Sequence, residues 1–195
     1  EDRAWGARWP AAFQPNEPTT TLTAAGDPTR FAPFYRHDDG ACVPTVYAAT
    51  TFDAAAYETV FHDIDPRTRF KTIRREALVS QAHSVLEVAR PLRLARFFRP
   101  DMMAWKVDAA QVVGAHAAAF ATTACWAAGV HAADSSLEGI VWTSNRCDPD
   151  CCVVLFGDRV EPDALHVRQR RQVHDESLMR DFRAAAGRAG ITISV

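Results

Sequence analysis

Two uninterrupted apolar runs near the middle of the chain constrain its fold most strongly. They are GIVWTS at 139–144 and CVVLFG at 152–157. A strand that is apolar at every position is covered on both faces, so both runs are predicted to be central strands of a sheet. The segment between them, NRCDPD at 145–150, consists largely of turn-forming residues. The two runs therefore predict a packed, sheet-containing core.

The other elements read from the sequence mix strands and helices without a regular alternation. The predicted elements are a strand at 43–49, a helix at 51–63, a strand pair at 77–98 broken near Pro91, helical segments at 108–132, an edge strand at 163–173, a helix at 175–190 and a final strand at 191–195. Residues 1–40 are rich in Pro, Thr and Gly and are expected to be loop with short extended pieces. This mixture predicts the α+β class with a mixed central sheet, in one domain spanning 1–195.

Composition excludes several classes of protein. The formal net charge is −2, which gives no general attraction to nucleic acid or to an anionic membrane. No apolar run approaches the length of a membrane span, and the start, EDRAWGARWP, lacks a signal-peptide pattern. The odd count of five cysteines is typical of a reducing compartment, so we expect a cytoplasmic protein.

The cysteine-rich segment CDPDCC at 147–152 invites a metal-site interpretation. No matching C-x-x-C or H-x-x-x-H pair lies near it, and its last two cysteines open the apolar run that follows. Buried strand cysteines are therefore favoured over a metal site, and no metal is expected.

Glu58 is the most informative single residue. The T-x-x-D spacing of Thr50 and Asp53 is that of a capping box and predicts a helix that begins near Thr51. On that helix the positions three or four residues from Glu58 are Ala54, Ala55, Phe61 and His62. Most of these are small or apolar, so Glu58 is either a partly exposed or arginine-paired glutamate, or a working carboxylate with room for a ligand beside it.

Three further residues are candidates for a site with Glu58. Arg30 lies between two prolines in PTRFAPF, where a stiff loop could present a guanidinium to phosphate or carboxylate. Tyr47 ends a predicted strand and could stack on an aromatic ligand, and Ser144 ends GIVWTS before a turn. Taken singly, each has an ordinary alternative: Arg30 as a surface arginine, Tyr47 as a core residue and Ser144 as a solvated turn serine.

The combination of segments resembles a known family. TRFAPF, VPTVYAATTFDAAAYETVFHDI, LEGIVWTSNR and VVLFGDRV are together similar to the RES-domain family, toxins paired with Xre-like antitoxins. The family is named for Arg, Glu and Ser, and Arg30, Glu58 and Ser144 fit those positions. The resemblance covers about residues 1–160, with core motifs at about 30–160 and a strand-helix-strand at 163–195. It implies an α+β fold similar to that of ADP-ribosyltransferases.

The resemblance assigns three more residues. FQPN at 13–16 matches a stretch that follows an arginine in the family, which makes Arg3 that arginine, with Arg8 as the alternative. Tyr47 fits the family's strand-end tyrosine. Thr123, or Thr122, fits a hydroxyl residue at the start of a helix.

The activity that the resemblance implies is consumption of NAD as a substrate, without a cofactor. Glu58 would face the positive charge that develops when the nicotinamide–ribose bond breaks, and Arg30 with Arg3 would hold the pyrophosphate. Tyr47 would stack on nicotinamide, and Ser144 and Thr123 would supply hydroxyls. Water or inorganic phosphate would be the acceptor. The implied partner is an Xre-like antitoxin that covers the active site and brings any contact with DNA.

Two alternatives to NAD cleavage follow from the same site. The chain could transfer ADP-ribose to a cellular protein, or it could be a non-enzymatic nucleotide-binding or assembly module.

Overall fold

The computed structural model describes residues 29–79 and 81–194, together with the backbone of residues 9–15. The strands are β1 (Trp9–Pro15), β2 (Thr45–Ala49), β3 (Lys71–Arg74), β4 (Gln81–Val88), β5 (Leu94–Arg96), β6 (Gly139–Thr143), β7 (Cys151–Phe156), β8 (Leu165–Gln172) and β9 (Ile191–Ser194). The helices are α1 (Phe52–Glu58), α2 (Glu76–Val79), α3 (Arg99–Ala104), α4 (Ala109–Val112), α5 (Phe120–Ala133) and α6 (Glu176–Arg188), with short 3-10 turns at Ala117–Ala119 and Pro162–Ala164.

A seven-stranded mixed sheet organises the described part of the chain. Its strand order is β5-β6-β7-β2-β1-β4-β8, and β3 and β9 form a separate parallel pair. In the large sheet β5 and β6 are parallel, whereas the other neighbours are antiparallel. The predicted α+β class with a mixed central sheet is confirmed.

The two apolar runs lie where the sequence predicts them. Ile140 on β6 and Val154 and Phe156 on β7 are completely buried, because the sheet is covered on both faces at these strands. The strand predicted at 163–173 is also confirmed as an edge strand, since β8 is the last strand of the sheet. Arginine on such an edge discourages pairing with another chain.

One prediction about strand pairing is wrong. The strands predicted at 77–98 exist as β4 and β5, but they lie near opposite ends of the sheet and do not pair with each other. In the region predicted to be loop with short extended pieces, β1 is an extended piece that pairs between β2 and β4. Its register shifts between Trp9 and Ala12, and such an irregularity accommodates a proline such as Pro10 inside a sheet.

The helix that carries Glu58 is shorter than predicted. Its N-cap is Thr51, whose hydroxyl accepts the Ala54 N–H at 3.1 Å, whereas the Thr50 hydroxyl donates to Asp150 across the sheet. The helix ends at Glu58 rather than at residue 63. The Thr59 hydroxyl donates to the Ala55 carbonyl at 2.6 Å, and such side-chain bonds compete with a continuing helix.

Helix α6 fixes α1 in place beneath the sheet. Its buried face includes Phe182, whose ring contacts Phe52 and Phe61 edge-on. The Tyr57 hydroxyl donates to the Ala185 carbonyl at 2.6 Å, in the interior. These contacts with α6 hold the short helix, and with it the residue at its end, Glu58, in a defined position.

Candidate active site

A cleft of about 380 Å³ opens where β2 leads into α1. It is lined by Thr29, Arg30, Tyr47, Ala48, Ala49, Ala55, Glu58, Thr59, His62, Asp63, Phe120, Trp142 and Cys152. Its volume is in the range of small-molecule sites, and apolar walls with a few convergent polar groups are typical of them.

Glu58 lies deep in this cleft, and its two carboxylate oxygens have different surroundings. Oε1 accepts hydrogen bonds from the Ser144 hydroxyl at 2.7 Å and from the Asn145 backbone N–H at 2.8 Å. Oε2 is 3.6 Å from a guanidinium nitrogen of Arg30. The side chain is only 10 % exposed. One oxygen therefore anchors the carboxylate, which leaves the other beside Arg30.

Ser144 lies behind Glu58 rather than in the cleft lining. It follows β6 and is buried. Its hydroxyl oxygen also accepts the backbone N–H groups of Arg146 at 3.1 Å and Cys147 at 3.0 Å. Because both N–H groups point at the oxygen, its single proton is directed to Glu58. The predicted serine thus joins Glu58, as a group that orients the carboxylate.

Arg30 is held by its backbone as well as by its charge. The Thr123 hydroxyl donates to the Arg30 carbonyl from inside α5, and Thr29 and Ala32 bond to each other across Arg30. The guanidinium lies 6.0 Å from the centre of the Phe120 ring. Its Nε is buried and has no hydrogen-bond partner among the described residues.

Tyr47 contributes one wall of the cleft. Its hydroxyl oxygen accepts the Phe31 backbone N–H at 3.0 Å and lies 2.9 Å from the Thr29 hydroxyl. Burial raises the pKa of Tyr47 to about 12, so the phenol is neutral at physiological pH. Its ring also meets Trp142 edge-on, with 6.3 Å between ring centres. The tyrosine therefore braces the turn that carries Arg30 and still presents a ring to the cleft.

One predicted site residue is placed differently, and another is not among the described residues. Thr123 is completely buried, and its hydroxyl is engaged by Arg30 and Phe120 carbonyls rather than facing the cleft. Its observed position corrects the expectation of a hydroxyl offered directly to substrate. Arg3 and its alternative, Arg8, lie outside the described residues.

The sequence interpretation did not assign His62, Asp63 or Trp142 to the cleft. His62 has a recognisable signal, since it lies four residues after Glu58. Trp142 has none, because its side chain was expected simply in the core of a buried strand. Its indole nitrogen is buried without a partner in the described part of the chain.

The cysteines of the segment at 147–152 behave as strand and core residues. Cys151 and Cys152 begin β7, and all five cysteines have free thiols. Burial raises the pKa of the Cys152 thiol strongly and that of Cys147 to about 11, so neither is ionised at neutral pH. Over residues 29–79 and 81–194, no group of three or more His, Cys, Asp or Glu side chains could hold a metal ion.

Comparison with known proteins supports the family resemblance found in the sequence. A family model described as the RES domain matches residues 3–181. A chain of the crystal structure of the M. tuberculosis MbcT–MbcA toxin–antitoxin complex shares the fold, with a TM-score of 0.56, 14% identity and coverage of 91% of each chain. A search of curated protein sequences finds no match. None of the helices in the described part of the chain has the length and apolar character that crossing a membrane needs.

Proposed function

This chain belongs to the RES domain family, and we propose that it is an NAD-consuming toxin of a toxin–antitoxin pair. The proposed reaction breaks the bond between nicotinamide and ribose. The observation that carries the proposal is the meeting of Glu58 and Arg30 at the base of one cleft, with Ser144 bonded to Glu58 from behind. These three residues come from distant parts of the sequence. If they only stabilised the fold, there would be no reason for a ligand-sized cleft to open beside them.

The chemistry asks for a fixed negative charge. When the C–N bond breaks, its electron pair leaves with nicotinamide and positive charge develops on the ribose, as in glycoside hydrolysis. The Oε2 atom of Glu58 would lie beside that charge or hold the ribose hydroxyls. The two hydrogen bonds on Oε1 keep the carboxylate from rotating, so little reorganisation is needed when the charge forms.

The neighbouring residues would bind the rest of NAD. Arg30 would hold the phosphate nearest that ribose, because a guanidinium can bind phosphate with two parallel hydrogen bonds. Tyr47 would stack its ring on nicotinamide. Ser144 and Thr123 would act through Glu58 and Arg30, which they position. A role for Arg3 beside Arg30 remains a prediction.

The proposed partner is an antitoxin that covers the cleft. The structural neighbour with the same fold belongs to a toxin–antitoxin complex, and the family resemblance implies an Xre-like partner. An active NAD-consuming enzyme would deplete the cell that makes it, so a covering partner is needed for its safe production. Five free thiols suit the cytoplasm, where NAD is abundant.

Mass analysis of the products tests the proposal. The purified chain, freed of any partner, is incubated with NAD in the presence and absence of phosphate. We expect nicotinamide together with ADP-ribose or its phosphate ester. ADP-ribose attached to protein would instead support the transferase alternative. Failure of the folded chain to bind or turn over NAD would contradict the proposal and favour a binding module.

A further inference from the structure

Two residues at the mouth of the cleft are not used by the mechanism above. His62 and Asp63 line the same cleft as Glu58 and lie four and five residues after it in the chain. The His62 side chain is 26% exposed and that of Asp63 is fully exposed, whereas Glu58 and Arg30 are nearly buried. The pair therefore lies at the solvent side, where a small acceptor molecule would enter.

The hydrogen bond between these residues selects one form of the imidazole. His62 Nδ1 is 3.0 Å from the Asp63 carboxylate. An ionised carboxylate only accepts hydrogen bonds, so Nδ1 must carry the proton. In the neutral ring the lone pair is then on Nε2, which makes no hydrogen bond within the described residues. The arrangement leaves a proton acceptor at the cleft mouth.

A proton acceptor in this position serves water rather than phosphate. Water must lose a proton as its oxygen attacks carbon, so a base beside it lowers the barrier. An oxygen of the phosphate dianion already carries negative charge and needs no base to attack. The free Nε2 of His62 therefore points to water as the acceptor.

We propose that the acceptor is water and that His62 Nε2 takes its proton; this inference rests on the proposed function. The C–N bond breaks and its electron pair leaves with nicotinamide. In the same step the water oxygen forms a bond to the ribose C1′ carbon and one water proton moves to Nε2, from which it is later released to solvent. Asp63 keeps the imidazole in the required form.

The decisive variant is His62→Gln, which retains hydrogen bonding and cannot take up a proton. Nicotinamide release with water as acceptor should fall on the order of 10²-fold, the usual contribution of a general base. Azide attacks carbon as an anion with no proton to lose, so azide should restore release in this variant and give an azide adduct of ADP-ribose. A purely structural defect would not be rescued. His166→Gln, on the exposed edge strand β8, is the matched control.

The outcomes separate this inference from the proposed function. ADP-ribose as the main wild-type product in millimolar phosphate, with loss in His62→Gln and rescue by azide, supports it. Phosphorylated ADP-ribose as the main product, unchanged hydrolysis in the variant, or a loss that azide does not rescue each overturns it while NAD cleavage stands. If the folded wild type releases no nicotinamide with any acceptor, the proposed function fails first, and this inference falls with it.

Discussion

Replacing Ser144 by alanine should damage both stability and activity, because one hydroxyl serves both. It donates to Glu58 and accepts two backbone N–H groups, of which that of Cys147 is buried. Losing a hydrogen bond to a charged group and leaving a buried N–H unpaired costs about 2–4 kcal/mol together. We expect a decrease of that size in the free energy of unfolding, measured by urea denaturation.

The effect on catalysis should be confined to kcat. In Ser144→Ala, Glu58 keeps the Asn145 N–H and its pairing with Arg30 but loses one of the two bonds that fix Oε1. Poorer orientation of Glu58 should cost about 1.5–3 kcal/mol of transition-state stabilisation. This corresponds to a decrease in kcat of roughly 10–150-fold, with little change in KM for NAD. Nicotinamide release under steady state measures both constants. Ser135→Ala, on an exposed turn, is the control. Wild-type kcat and stability in Ser144→Ala would refute the reasoning.

Three smaller predictions follow from the surroundings of the cleft. Thr123→Val keeps the volume and removes the bond to the Arg30 carbonyl, so KM for NAD should rise about tenfold and stability should fall by about 1 kcal/mol; an unchanged KM would mean that this bond does not position Arg30. Burial raises the pKa of Tyr47 from 10.0 to about 12, so the unfolded state loses this proton at a lower pH than the folded state does. The free energy of unfolding should therefore decrease as the pH rises from 10 to 12. Tyr47→Phe should remove this part of the pH dependence in alkaline denaturation, and an identical profile would contradict it. Iodoacetamide at neutral pH should modify exposed Cys125 well before Cys147, whose pKa is raised to about 11 by burial; mass mapping showing the reverse order would refute the described burial.

Local patterns were sufficient for the elements whose burial is uniform along the chain. The runs that became β6 and β7 are apolar at almost every position, and the polar residues that mark the ends of α6 lie beside it in the sequence. The early end of α1 depends on the side-chain bond of Thr59, and the central position of β1 depends on pairing with strands far along the chain. Such non-local pairings leave no periodicity in a single sequence.

The candidate site could likewise be predicted only in part from the sequence. The resemblance selected Glu58, Arg30 and Ser144 by residue type and position, and the structure brings these three together. The resemblance alone did not show which of the three contact a ligand and which support the others. Ser144 and Thr123 differ from their expected places because their hydroxyl groups point at Glu58 and at the Arg30 backbone. Whether a residue contacts the ligand or supports another residue depends on where its hydroxyl group points, and residue type alone does not determine that direction.

The most direct test of the central claim is nicotinamide release by wild type and Glu58→Gln, measured side by side after removal of any partner. The amide oxygen of glutamine can still accept the Ser144 and Asn145 hydrogen bonds, so the fold should persist while the negative charge is lost. We expect release by the wild type and by the exposed control Glu76→Gln, and a decrease on the order of 10²–10³-fold in Glu58→Gln. Equal release by wild type and a folded Glu58→Gln would contradict the account.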